Sequence, residues 1–293
     1  MTNASHYRRK KEIALPASSY LSISTWSLHR LLGPLRWTVW NAEAGIHETH
    51  VDEQPQLYTL LELPAEAARR GYAAIEVCHF HFPRTDDTYL TELRAAFDTS
   101  GIRFDTLLLD YGDLSSADER RYAADLDFIR RWIDIASRAG ARQIRVVAGE
   151  APPTDEAAIS LSAAALAQLA EYAAAQGVRV ITENFKPLTS TADSCMRLLA
   201  QAGEAVGMIT DFGNFRGVAK YDELAAIAPR SVSVHAKAAY DEQGLPDEPE
   251  FVRCLDAVEA ADFKGAYVLI YDGPGDMWEG LERIRRIVLP YVR

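Results

Sequence analysis

Short runs of consecutive apolar residues alternate with longer stretches in which apolar positions recur every three or four residues, and the alternation repeats about eight times along the chain. The runs at 20–25, 73–77, 103–109, 143–147, 178–183, 207–211, 231–235 and 266–271 predict strands. Several of them, such as VRVIT and AYVLI, are apolar almost throughout, as strands of a parallel sheet covered on both faces are. The stretches at 63–70, 88–99, 117–139, 155–176, 191–202, 221–228, 249–261 and 277–289 predict helices. Four helices close on a glycine just before the next strand, at Gly71, Gly101, Gly140 and Gly177. Glycine there supplies the left-handed cap that ends a helix. Strand then helix, eight times over, predicts an α/β chain folded as a (β/α)8 TIM barrel. A doubly wound sheet fits less well, because no glycine-rich phosphate turn follows the first strand.

Residues 1–18 read as a flexible N-terminal arm whose basic patch at 8–11 is a solvated face, and residues 19–293 as one barrel domain. One connection does not fit a simple barrel. The segment 30–56 follows the first strand as an extended loop and carries Trp37, Trp40, His47 and His50. A loop of that length inside a compact domain is often functional, and two roles compete for it: an aromatic lid over a substrate, or a contact in a homo-oligomer.

At 293 residues, 48% hydrophobic and 25% charged, the chain has ample core. Its net charge of -11 disfavours nucleic acid as a partner, because phosphate binding is driven by counterion release onto basic surface. No run reads as apolar enough to span a bilayer and the start lacks a signal-peptide stretch, so the expected location is cytoplasmic, without a membrane partner. Cys78, Cys195 and Cys254 are odd in number and widely spaced, which predicts reduced structural thiols.

The chemistry gathers at the ends of the last four strands. Three of them end on Glu183, Asp211 and His235, while the matching inward position of the fourth is Ile270. The intervals of 28, 24 and 35 residues are each one strand-and-helix unit. In a barrel the three polar residues therefore converge at the carboxyl-terminal mouth, where such folds carry their chemistry. Two carboxylates and an imidazole suit a hard or borderline divalent ion. Each residue alone has an ordinary alternative, a helix cap for the aspartate and a satisfied core position for the histidine. Their shared depth favours the ion.

TENF at 182–185, TDFGNF at 210–215, VSVHAK at 232–237 and GAYVLIYDG at 265–273 resemble the xylose isomerase-like TIM barrels, the superfamily of sugar phosphate isomerases and epimerases. The likeness extends from STWSL at 24–28 and GYAAIEV at 71–77 to the last strand. It implies one divalent ion (manganese, cobalt, magnesium or zinc) held by Glu183, Asp211 and His235. The fourth ligand of that family, a glutamate, falls on Ile270. It also implies that Glu183 doubles as the base that abstracts a proton beside a substrate carbonyl. Asp272, on the same side of an ideal strand as Ile270, is a substitute fourth ligand or simply part of the turn Asp272–Gly275.

Lys237, His81, Glu76 and Trp37 are the expected substrate contacts, and Arg145, Glu150 and Lys186 are rim residues with solvated or ion-paired roles. The implied function is a metal-dependent isomerase or epimerase of a small sugar or other polyhydroxylated carbonyl compound. Two alternatives stand beside it: a dehydratase or lyase that needs only one base, and a barrel that has lost its ion and binds without turnover.

Overall fold

Eight parallel strands close on themselves in the computed structural model, which describes residues 18–293. In chain order the strands are β1 (Tyr20–Ser24), β2 (Leu35–Asn41), β3 (Ile46–Asp52), β4 (Ala74–Cys78), β5 (Arg103–Leu108), β6 (Gln143–Arg145), β7 (Arg179–Glu183), β8 (Gly207–Asp211), β9 (Ser231–Lys237) and β10 (Ala266–Ile270). The helices are α1 (Leu63–Arg69), α2 (Asp87–Ser100), α3 (Glu119–Ala139), α4 (Glu156–Ala174), α5 (Ala192–Ala202), α6 (Lys220–Ile227), α7 (Glu248–Ala260) and α8 (Met277–Val288). Round the barrel the order is β1, β4, β5, β6, β7, β8, β9 and β10, and β10 pairs with β1. This is the (β/α)8 architecture that the periodicity predicts. The expected N-terminal arm lies, but for Ser18, outside the described residues.

Helix starts are set by short polar side chains. Asp86, Asp118, Asp155, Asp247 and Asp276 accept hydrogen bonds from the first free N–H groups of α2, α3, α4, α7 and α8, and Thr191 does so for α5. Each such cap contributes about 1 kcal/mol, and each helix is aimed back along the outside of the barrel. Helix α4 has the length and apolarity of a membrane span, contrary to the sequence expectation, but half of it is buried against its neighbours. A helix packed in a protein core passes the same test. The three cysteines are free and buried.

Residues 30–56 are more ordered than an extended loop. Here β2 and β3 form an antiparallel hairpin, in register from Leu35 opposite Asp52 to Asn41 opposite Ile46. Its turn closes on Gly45 in the left-handed region, φ +70, with the Gly45 N–H donating to the Asn41 carbonyl at 2.8 Å. The hairpin is fastened over the mouth of the barrel at three points. His47 Nε2 bonds Asp125 of α3 at 2.8 Å, Thr38 Oγ1 bonds His79 at 3.3 Å, and the Trp37 ring lies 4.2 Å from that of Phe80.

Candidate active site and metal centre

Side chains alternate along each strand, so residues two apart share a face. Ile181 and Glu183 of β7, Ile209 and Asp211 of β8, Ser233, His235 and Lys237 of β9, and Val268 and Ile270 of β10 form the inward set at the mouth. Their register climbs like a staircase: Glu183 lies opposite Ile209, Asp211 opposite His235, and Ile270 opposite Lys237. Steps of two, none and two residues average close to one per strand, the stagger of an eight-stranded barrel of shear eight. Strand-end residues from different strands thus arrive at one height although they are not all register partners.

Glu183, Asp211 and His235 are all buried and offer one ligand atom each, the three atoms lying within 4.8 Å of one another. His235 Nδ1 is 3.5 Å from Glu183 Oε1 and 3.4 Å from Asp211 Oδ2. Ligands bound to one ion at about 2.0–2.2 Å stand about 3–3.5 Å apart, so the spacing suits a small divalent cation. The other imidazole nitrogen, Nε2, is 2.7 Å from Glu76 Oε2. A carboxylate there selects the tautomer with its proton on Nε2 and leaves Nδ1 free to face the cluster. Burial alone would lower the His235 pKa, but the charges of Glu183 and Glu76 and hydrogen bonds to Asp211 and Glu183 raise it well above the usual imidazole value. A site that holds on to a proton so firmly is a site with unmet demand for positive charge.

Neighbours fix each acid. Asn184 donates to the Asp211 carbonyl at 3.0 Å and accepts from the Asp211 N–H at 2.7 Å, tying the end of β7 to the end of β8. Asp211 Oδ1 accepts from the Gly213 N–H at 2.6 Å, which leaves Oδ2 toward His235. Asn214 Nδ2 donates to Glu183 Oε1 at 3.3 Å. Glu183 Oε2 is 3.1 Å from Arg145 Nε, yet neither atom has a partner with hydrogen-bond geometry, so this is a charge contact between two buried groups that are still open to a ligand.

The cluster forms part of the wall of a cavity of about 740 Å3, within the range of small-ligand sites. Trp26, Trp37 and Phe80 give it an apolar wall, and Ile270 continues that wall on β10. Asp110, Arg145 and Lys237 supply further polar groups. Arg145 Nη2 is 2.5 Å from Asp110 Oδ1, while Asp110 Oδ2 is buried without a hydrogen-bond partner.

The chain belongs to the xylose isomerase-like TIM barrel family. Its family model matches residues 64–287. No curated protein matches the sequence. Among solved structures, an L-ribulose 3-epimerase superposes with a TM-score of 0.68 at 17% identity over 93% of this chain and 94% of its own. A D-allulose 3-epimerase from Methylomonas sp. gives 0.67 at 16% over 96% and 100%, and a 3-keto-D-glucoside 4-epimerase from E. coli gives 0.59 at 18% over 78% and 94%. At such identities the likeness is one of fold.

On this xylose isomerase-like barrel the expected site residues take three different places. Glu183, Asp211, His235, Lys237 and Trp37 line the cavity together. Glu76 and His81, expected as substrate contacts, do not line it. Glu76 is buried behind His235, accepting from Thr106 Oγ1 at 2.9 Å with its other oxygen on the imidazole. His81 is buried against Thr25 Oγ1 at 2.9 Å, and burial pushes its pKa down to about 3. Asp272, the substitute ligand, stands apart from the cluster because Lys237 Nζ holds its carboxylate at 2.5 Å. Asp110 and the hairpin residues Thr38 and Val39 were not expected at the cavity. Asp110 ends the apolar run LLLD as Glu183 ends VRVIT, so the strand-end signal was there to be read.

Proposed function

We propose that the protein is a divalent-ion-dependent isomerase or epimerase of a small sugar or other polyhydroxylated carbonyl compound. Glu183, Asp211 and His235 would hold the ion, which supplies a Lewis acid that polarises the substrate carbonyl. Glu183 takes the proton from the carbon next to that carbonyl, and the electron pair moves onto the carbonyl oxygen to give an enediolate. Glu76 keeps His235 in its ligating tautomer, and Arg145 holds Glu183 Oε2 at the cavity wall. Trp26, Trp37 and Phe80 offer flat apolar faces for the C–H side of a sugar ring or chain, while Asp110 Oδ2 accepts from a hydroxyl. The epimerases that share the fold support this substrate class. The observation that carries the reading is the buried, mutually close set of Glu183, Asp211 and His235 in the wall of a roomy cavity.

Ile270 favours a second reading within the same site. Epimerisation returns the proton from the opposite face, and Ile270 offers no carboxylate there, whereas dehydration needs only the first abstraction. One experiment separates the two. Purified protein loaded with manganese is incubated in deuterium oxide with L-ribulose, D-fructose, D-allulose and their phosphates, and followed by NMR. Deuterium at the carbon next to the carbonyl together with a new epimer supports epimerisation; loss of that carbon's proton with an unsaturated product, or a deoxy-keto product that carries deuterium, supports dehydration. An absence of both exchange and ion uptake would leave a binding protein without turnover.

A further inference from the structure

Resting on the reading of Glu183, Asp211 and His235 as an ion site, we propose that the natural substrate is an anion, a polyhydroxylated carbonyl compound bearing a carboxylate or phosphate group, whose charged end is held at Lys186. Four lysines fall among the described residues. Three are ion-paired: Lys220 with Glu250, Lys237 with Asp272 and Lys264 with Asp262. Lys186 makes no ion pair with the described residues, and it lines the cavity with its ammonium 5.4 Å from the Phe185 ring centre.

The other charged residues that line the cavity have partners. Arg145 faces Asp110 and Arg121 faces Glu150. Glu183 and Asp211 together balance one divalent ion. Lys186 is then a charged side chain of the lining with no acid among the described residues against it, in the same cavity as the ion site.

The backbone points the same way. Lys186 has φ +73 and ψ 166, a region that is essentially glycine-only. Pro187 accounts for the extended ψ, since the residue before proline avoids the helical region, but not for the positive φ. The strain persists because Thr189 Oγ1 gathers this turn: it donates toward the Glu183 and Phe185 carbonyls, at 2.8 Å each, and accepts the Phe185 N–H at 3.1 Å. Glycine at 186 would relieve the strain and lose the charge. A strained lysine three residues after the proposed base is positioned to fix one end of a substrate whose other end meets Glu183.

Calorimetric titration of the manganese-loaded full chain tests this with three probes: D-fructose, D-fructose 6-phosphate and 2-keto-D-gluconate. At least one of the two anions should bind tenfold or more tightly than D-fructose. Which one does so distinguishes a phosphate from a carboxylate. Lys186→Gln should remove most of that preference while leaving manganese affinity unchanged, and Lys186→Gly should do the same while raising the melting temperature. Equal affinity for all three probes, or a preference that survives both substitutions, overturns the inference. Failure of the protein to take up manganese is seen before any probe is added, and overturns the ion-site reading and the inference resting on it together. Ion uptake intact with no discrimination among the probes by the unsubstituted protein overturns the inference alone.

Discussion

The two sides of the barrel mouth are built from opposite materials. The ends of β7, β8 and β9 present Glu183, Asp211 and His235, backed by Glu76, Asn184 and Arg145. Next to β9 the lining changes: β10 presents Val268 and Ile270, which pack with Trp26, and the 3-10 turn His79–His81 and the hairpin add Phe80 and Trp37. The same strand-end position is therefore a ligand on one arc and wall on the other. A half-shell of ligands leaves the open side of an ion to water or substrate, and an apolar wall beside it turns the hydroxyls and carbonyl of a sugar toward the polar arc. The asymmetry can orient a substrate before any chemistry begins.

The hardest test of this division is to remove the base from the polar arc. Glu183→Gln keeps the shape but neutralises a group proposed to be both ligand and base. Turnover should fall at least about 10³-fold, within the usual range for a general base, and ion affinity should drop together with it. Steady-state kinetics beside elemental analysis would check both. Unchanged ion content with unchanged turnover would remove Glu183 from the site.

Histidines on the two sides respond to pH in opposite directions. Burial lowers His79 to about 4 and His81 to about 3, so both stay neutral in the fold. As pH falls below about 6.5 the unfolded chain takes up protons that the fold refuses, and stability is lost down to the folded pKa values, by about 3 kcal/mol for His79. His235 in the ion-free chain is raised by Glu183 and Glu76 against the effect of its burial, so its contribution is complete below 6.5 and is lost as pH rises through its folded pKa. Ion-free protein should therefore melt lower at both ends of the pH range, and manganese-loaded protein only at the acid end. Calorimetric melting from pH 4.5 to 9, with chelator and with manganese, would show it.

Much of this was legible in the sequence. All eight barrel strands, including the three that carry Glu183, Asp211 and His235, show as strand-like runs, and several, such as VRVIT and AYVLI, are apolar almost throughout because a strand covered on both faces is mostly apolar. A ligand at its end is then a conspicuous break in that run. The hairpin was less legible: LRWTVWN and IHETHVD do alternate, but each carries enough polar residues to read as loop. Glu76 and His81 sit within IEVCHFHF, at the end of β4 and in the turn after it, yet depth within a barrel is set by stagger and by what covers the strand, which one strand's parity does not encode. The place of Asp272 is not encoded by parity either. Two residues beyond Ile270 is the correct side of an ideal strand, but β10 ends at Ile270, and the chain beyond it turns the carboxylate to Lys237.

Reversing the wall residue itself probes the boundary between the arcs. Ile270→Glu places a carboxylate on the inward face of β10, where Ile270 lies in register with Lys237. Ion affinity should rise about tenfold, or 1.4 kcal/mol, if the new oxygen reaches the cluster. The gain is offset in stability, since a side chain 4% exposed among Val268 and Trp26 is exchanged for a charge that only the ion or Lys237 can compensate. The melting temperature should fall without ion and recover with it. Asp272→Asn is the control, expected to leave ion affinity unchanged because that carboxylate is already held by Lys237. A loss of tenfold or more in Asp272→Asn would instead make Asp272 the fourth ligand.

The smallest effect belongs to the apolar wall proper. Trp37 reaches the cavity from the hairpin, with Phe80 4.2 Å away and Trp26 at 6.3 Å, so it is held by ring contacts and not by the polar arc. Trp37→Ala takes away a flat face against which the C–H surface of a sugar would rest, without touching any group near the ion. Such a contact is made to substrate and transition state alike, so its loss should raise KM by about three- to tenfold, or 0.7–1.4 kcal/mol, and leave kcat within about twofold. Manganese affinity should not change. A matching loss in kcat would mean that the hairpin positions the reacting carbon as well as covering it, and the apolar wall would then share in the chemistry assigned above to the polar arc alone.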